Sequence, residues 1–285
     1  MKLLALITLF ISLSSLACDG GMNLKKRSLQ IPAGADNAND LTEKEFRTLI
    51  RDFEKFFAPA IDRDHNTELI LIGSWSSNTV NAYAEQDTKK FMINIYGGLA
   101  RHKDITKDGV TATLCHELGH HLGGYPKKST NKWSSAEGQA DYYATMKCLR
   151  RIWEKADNKT AIGYQEVPLA LKTECAKTHS SEAGRDLCHR MGLAGRSVAL
   201  MIQDLDHDSL TPKFETPERE VARVMNYQHP FSQCRLDTFF QGAICPVSES
   251  VEFSNSDETQ GACHKKFGDE RGLRPRCWFV AQKTY

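Results

Sequence analysis

The chain has almost no charge of either sign to spare, with 37 Lys+Arg against 36 Asp+Glu in 285 residues. Without a net field it has nothing to concentrate it on nucleic acid or on an anionic membrane surface, so sequence-independent nucleic-acid binding is excluded. After the first eighteen residues no apolar run reaches membrane length, and no internal repeat points to a solenoid or propeller. Cys-x-x-Cys pairs are missing as well, which argues against a structural zinc ribbon. What is present is a 40% apolar composition with aromatic residues spread along the chain, enough for a substantial core.

The amino terminus reads as an export signal. Met1-Lys2 is a short positive region, Leu3 to Leu13 is apolar, and Ser15-Leu16-Ala17 brings small residues to Cys18. Leu16-Ala17-Cys18 resembles the lipobox of bacterial lipoproteins, with its Leu one place later than usual, so residues 1–17 read as signal peptide and Cys18 as the lipidated first residue. Residues 18–40 then form a polar tether. Expected localisation is the bacterial envelope, periplasm or outer membrane, with the lipid anchor as the membrane contact.

With Cys18 set aside, eight cysteines remain: Cys115, Cys148, Cys175, Cys188, Cys234, Cys245, Cys263 and Cys277. An even number in an oxidising compartment predicts disulfides. Connectivity is open, nearest-neighbour pairing being the simplest choice. Six of them follow residue 174, which makes the end of the chain loop-rich and stapled, and residues 231–285 are set apart as a cysteine-rich segment after a 41–230 core.

Within the core, Phe46, Leu49, Ile50, Phe53, Phe56 and Phe57 recur at helical spacing from Leu41-Thr42-Glu43 to a stop at Pro59. Residues 68–73 and 91–96 read as strands separated by a polar segment, and helices follow, an α+β order. The next helix, with Asp108 to cap it, carries Val110, Leu114, Leu118 and Leu122 as an apolar stripe and ends at Gly123-Gly124.

On its neighbouring face stands His116-Glu117-Leu118-Gly119-His120. The i, i+4 spacing sets both imidazoles on one side, one turn apart, where each can give a nitrogen to one Zn2+. Glu117 is turned to act as general base on a zinc-activated water and then as proton donor. His121 faces elsewhere and reads as a surface residue or a support to the site. Cys115 reads as a disulfide partner of Cys148 on the following helix, which would tie the two helices together.

Zinc needs a third protein ligand. A third His six residues after His120 is ruled out, since that position is Pro126. A carboxylate on the next helix is the alternative, and Glu137 supplies it, although Ser134 to Glu137 also fits an S-x-x-E capping box that needs no metal. Asp141, one turn on, can hold the free ring N–H of a ligand His.

Taken together, Val80-Asn81-Ala82-Tyr83-Ala84, the strand at 91–96 with Gly97-Gly98-Leu99, His116 to His120, and Glu137 with Ala140-Asp141 resemble the gluzincin metallopeptidases of the HtpX and CAAX-prenyl-protease type. His229-Pro230 followed by Arg235 resembles that family's His-Pro element, with Gln228 in place of the usual Ser or Thr. The resemblance spans roughly 78–236 and lacks the family's membrane-spanning helices, as in its exported lipoprotein relatives. It implies a zincin-like fold, one Zn2+ per chain, and a substrate-binding edge strand at Met92, Asn94 and Tyr96 that pairs with an extended protein or peptide. It further implies that His229 and Arg235 steady an oxyanion or orient the ligand helix.

The expectation is a zinc endopeptidase acting on unfolded or misassembled envelope proteins. The rival is a non-hydrolytic chaperone or assembly factor with the same groove. Asp204, Asp206, Asp208 and Glu215 have the spacing of a calcium loop, but Ser209 and Pro212 break the pattern, so this stretch reads as a solvated acidic turn.

Overall fold

The computed structural model describes residues 29–282. Residues 1–17, read above as a signal peptide, and Cys18 lie outside the described residues.

Helix α1 (Glu43–His65) starts at a capping box in which Thr42 accepts from Glu45 N and the Glu45 carboxylate accepts from Thr42 N. Phe46, Ile50, Phe53, Phe57 and Ile61 are its buried stripe. Pro59 does not end the helix, contrary to the sequence expectation. The apolar stripe continues to Ile61, and the chain stops at Asn66 in the left-handed conformation. Strands β1 (Glu68–Ser74), β2 (Ala82–Asp87) and β3 (Lys90–Tyr96) form one sheet in the order β1-β3-β2, with β1 parallel and β2 antiparallel to β3.

This order corrects one expectation. β3, with Met92, Asn94 and Tyr96, is the central strand, and both its edges are already paired, so it has no backbone groups to offer a peptide. The edge beside the next long helix belongs to β2.

After the short α2 (Gly97–Ala100), α3 (Lys107–Leu122) is capped by Thr106, whose hydroxyl accepts from Gly109 N. Asp108 is not the cap but pairs with Arg190 at 2.8 Å. Every residue of α3 from Gly109 to His121 is buried, because β2 covers one side and α4 and α8 the others. α4 (Glu137–Tyr143) continues through wider π turns at Ala144–Leu149 into α5 (Arg150–Trp153). Then come α6 (Asn158–Ile162), α7 (Leu169–Thr178), the long α8 (Glu182–Asp206) and α9 (Ser232–Ile244).

Ser134 to Glu137 is not a capping box, since α4 starts from Ala136 without a side-chain cap. The acidic stretch is no calcium loop either. Asp204 and Asp206 lie on α8, Asp204 is bonded to His102 at 3.1 Å, and Asp208 accepts from Ser232 N.

Both ends of the described chain join the core. Residues 29–40, read as tether, are docked: Ile31 is buried, its carbonyl accepts from Arg101, and Asn39 bonds the carbonyls of Ala100, His102 and Ile105. In the cysteine-rich segment, Leu236, Phe239 and Ala243 of α9 share the core with Leu114 and Leu118 of α3. Four disulfides are formed, Cys115–Cys148, Cys175–Cys188, Cys234–Cys277 and Cys245–Cys263. The last two are nested rather than nearest-neighbour, because the tail folds back on α9. Such a set fits an oxidising compartment outside the cytosol. Among the described residues, no helix is long and apolar enough to cross a membrane.

Cys277 brings Trp278 against α4. Trp278 is fully buried, donates to Thr238 Oγ1 at 3.0 Å, and lies so close that a Cβ on Gly138 would fall 2.3 Å from its Cδ2. Gly138→Ala is therefore expected to lower stability by about 1–3 kcal/mol through overpacking, read from the denaturant midpoint. An unchanged midpoint would mean that the tail yields at no cost.

Candidate metal centre

The site lies where α3 and α4 cross. Gly119 makes the crossing close, since a Cβ there would sit 2.9 Å from Ala140 Cα. Cys115–Cys148 ties α3 to the helical run that begins with α4, with Cα atoms 5.5 Å apart.

His116 and His120 stand one turn apart on α3, both buried, with ring centroids 4.8 Å apart. Each has one ring nitrogen committed. His116 Nδ1 is 2.7 Å from Asp141 Oδ1, and His120 Nδ1 is 2.9 Å from the Ser135 carbonyl. An acceptor at Nδ1 keeps a proton there and leaves Nε2 as the nitrogen that faces the site. Both Nε2 atoms are buried and, among the described residues, have no hydrogen-bond partner, as is true of both carboxylate oxygens of Glu117 and Oε2 of Glu137.

Glu137 reaches in from the first residue of α4. Its Oε2 lies 3.2 Å from His116 Nε2 and its Oε1 3.7 Å from His120 Nε2. His116, Glu117 and His120 each present a ligand atom within 4.8 Å of the others. Buried polar atoms left unpaired are costly, and several of them facing one point are what a metal ion would satisfy. These His and Glu side chains could hold a metal.

His229 and Arg235 both lie beside the cluster. His229 Nε2 is 3.1 Å from Glu137 Oε2 and, among the described residues, has no other partner. Arg235, fully buried on α9, grips Asp141 with Nε to Oδ2 at 2.8 Å and Nη2 to Oδ1 at 2.6 Å. Asp141 is thus held by Arg235 on one side while it orients His116 on the other.

Charge follows from this layout. Burial opposes a charged His116, but Asp141 and Glu137 outweigh it and raise its pKa to about 9, so the site draws positive charge toward that ring. Burial pushes Glu117 up to about 7. Burial also drives His120 far below its ordinary value and keeps it neutral. Burial works against the Glu137 carboxylate, yet His229, His120 and Lys128 hold it well below the usual carboxylate range.

Lys128 joins the site without a mark in the sequence. Its Nζ donates to Glu137 Oε1 at 2.6 Å from a nearly buried side chain in the loop between α3 and α4. One lysine in a stretch with Lys127 and Lys132 gives no sign of such a role. His121 is neither at the surface nor in the cluster. It is sandwiched between Phe91 at 4.3 Å and Trp133 at 4.9 Å, both planes inclined 15° to its own.

Burial between these rings lowers the His121 pKa to about 3. The unfolded chain takes up this proton near 6.5 and the folded one only near 3, so stability is lost as pH falls through that interval. Comparing denaturant midpoints of the chain and His121→Phe from pH 6.5 to 4 should show a slope difference approaching about 1.4 kcal/mol per pH unit. Parallel pH profiles would contradict the sandwich.

A second cluster, His102, Asp104 and Asp204, could also gather around an ion. Lys103 Nζ already lies 2.6 Å from Asp104 and 3.3 Å from Asp204, so that charge is met. No protein-family model, curated protein or solved structure matches this chain. The functional reading therefore depends on the site itself.

Proposed function

We propose that this chain is a zinc-dependent endopeptidase of the gluzincin type with a zincin-like fold. The observation that carries the reading is the convergence of unpaired Nε2 atoms on His116 and His120 with the carboxylates of Glu117 and Glu137 in one buried site. Two imidazoles and a carboxylate are the donor set of catalytic zinc sites, in which water or substrate takes the remaining position. His116, His120 and Glu137 would hold the ion. Bound zinc supplies Lewis acidity, which polarises a carbonyl and lowers the pKa of water toward neutrality.

The remaining chemistry belongs to the chain. Glu117, buried and with its pKa raised to about 7, accepts the proton of the attacking water and returns it to the leaving nitrogen. His229 donates from Nε2 toward the negative charge that develops on the carbonyl oxygen. Asp141 and Arg235 hold His116 in the tautomer that leaves Nε2 free. β2 offers its edge to an extended peptide, as a sheet edge near α3 can. Such a site takes unfolded chain rather than a folded surface. Together with the disulfides and the export signal, this favours unfolded or misassembled envelope proteins as substrates, with Cys18 as lipid anchor.

Metal analysis tests the donor set directly. The purified chain should retain one zinc after dialysis, and Glu137→Gln should bind it more weakly by over about 100-fold, beyond the roughly 10–100-fold that loss of a supporting hydrogen bond costs. A chain that binds no zinc, or a Glu137→Gln variant that binds it equally well, would rule out this ligand assignment.

A further inference from the structure

The four disulfides differ in their access to solvent. Seven of the eight paired cysteines are buried, at 2% exposure or less, and Cys277 alone is partly exposed. Thiol–disulfide exchange begins with attack of a thiolate on a disulfide sulfur, so access decides which bond can be opened in the folded protein. Cys234, the partner of Cys277, stands in the first turn of α9, where the helix N-terminus favours a thiolate and so a good leaving group. Beyond Cys263 this bond is the one cross-link that holds the tail.

The same bond sits among three supports of the metal centre. Cys234 precedes Arg235, which grips Asp141 and through it aims His116. Cys277 precedes Trp278, which lies against Gly138, the residue after Glu137, and bonds Thr238 Oγ1 on α9. The residues on either side of Cys277 also hold the stretch that leads to His229, with Ala222 N donating to Arg276 O and Asn226 N to Trp278 O, both at 2.9 Å. Met225 of that stretch packs with Cys234, Trp278 and Phe279.

We propose that Cys234–Cys277 is a thiol-exchange site that locks the metal centre, opened by a small-molecule thiol acting at Cys277. A thiolate attacks Cys277 Sγ, the bond to Cys234 breaks, and Cys234 leaves as a thiolate and is protonated. A second thiolate attacks the sulfur that the first one brought, which releases Cys277. The two thiols end as one disulfide, and the protein has gained two electrons and two protons. Opening frees the tail after Cys263 from α9, so Arg235, Trp278 and the approach to His229 lose the bond that fixes them. Outer supports of this kind are worth about 10–100-fold in metal affinity. The link to zinc rests on the donor set given under Proposed function, whereas the exchange site does not.

The order of opening is read on the full chain in buffers of 2-mercaptoethanol and its disulfide, with free thiols blocked by iodoacetamide and located by peptide mass spectrometry. Cys234 and Cys277 should be blocked under conditions that leave the other three disulfides paired. Zinc affinity is read by competition with a chromophoric chelator. Cys234→Ala with Cys277→Ala should bind zinc about 10–100-fold more weakly than the parent. Cys175→Ala with Cys188→Ala, which removes the bond between α7 and α8, should bind it as the parent does. Coupling is reciprocal, so saturating zinc should make Cys234–Cys277 harder to open by the same factor in the unaltered chain, a readout that does not depend on how the variants fold. Another disulfide opening first, or all four together, would overturn the exchange site. Parental zinc affinity in the Cys234 and Cys277 variant, with no effect of zinc on opening, would overturn the lock. An oxidised chain that takes up no zinc would instead contradict the donor set, and the order of opening would still decide the exchange site.

Discussion

Glu117→Gln is expected to abolish hydrolysis of an unfolded protein while leaving the fold and the zinc content in place. The loss should be about 10²–10⁴-fold, the range for removing a positioned general base. Glutamine has the shape of glutamate, so the buried space is filled as before, but its amide cannot take a proton from water. Burial also favours the exchange, because it pushes the Glu117 pKa up to about 7 and so makes its charged form costly in the metal-free protein. The variant should be at least as stable as the parent in the absence of zinc. Rates of cleavage, zinc per chain and the denaturant midpoint together check this. A variant that still cleaves at the parental rate would place the base elsewhere, and a chaperone-like binding activity that survives would favour the non-hydrolytic alternative.

Arg235 is expected to be the most costly single residue to remove from the support of the site. Its guanidinium and the Asp141 carboxylate are both fully buried and joined by two hydrogen bonds of 2.8 and 2.6 Å. Arg235→Met leaves the carboxylate buried with His116 as its one charged partner, and breaking a buried pair in this way costs about 3–5 kcal/mol of stability. Asp141 would also lose the contact that aims it, so zinc affinity should fall about 10–100-fold. The pair Arg235→Met with Asp141→Leu separates these effects. Replacing both charges by apolar groups should restore much of the stability, since a buried ion pair is often no better than a packed apolar pair, yet zinc binding should stay weak because His116 has lost its acceptor. If the double variant binds zinc like the parent, Asp141 does not orient His116.

How far the residues alone disclose this molecule depends on the kind of interaction involved. His116, Glu117 and His120 are close in the chain, so helical spacing by itself predicts their shared face, and α3 is observed there. Glu137 and Asp141 were within reach because they too are one turn apart, and the start of α4 leads them to the same point. Strand β2 is not legible in the sequence. Its residues Ala82, Ala84, Glu85 and Gln86 are weak strand formers, and it is held by pairing with β3 rather than by its own propensity. The edge at 91–96 is what the resemblance implies, and β2, paired along β3, takes that edge instead.

Other features arise only from folding. Nothing local marks Lys128 as a partner of Glu137, or His121 as the filling between Phe91 and Trp133, since each depends on where a loop crosses a sheet. The nested disulfides follow from the tail turning back over α9 and α4, and the same turn seats Trp278 against Gly138. His229 and Arg235 were suggested by a resemblance, and in the structure both reach the site, one through Glu137 and the other through Asp141.

The most direct test is to strip the chain of metal and add zinc back in steps while following cleavage of carboxymethylated lactalbumin, with Glu117→Gln carried through the same titration. The account predicts no cleavage without metal, activity that rises in proportion to zinc and levels off at one ion per chain, and zinc uptake without activity in Glu117→Gln. Cleavage that survives complete removal of metal, or a chain that binds one zinc at His116, His120 and Glu137 and cleaves nothing, would contradict it.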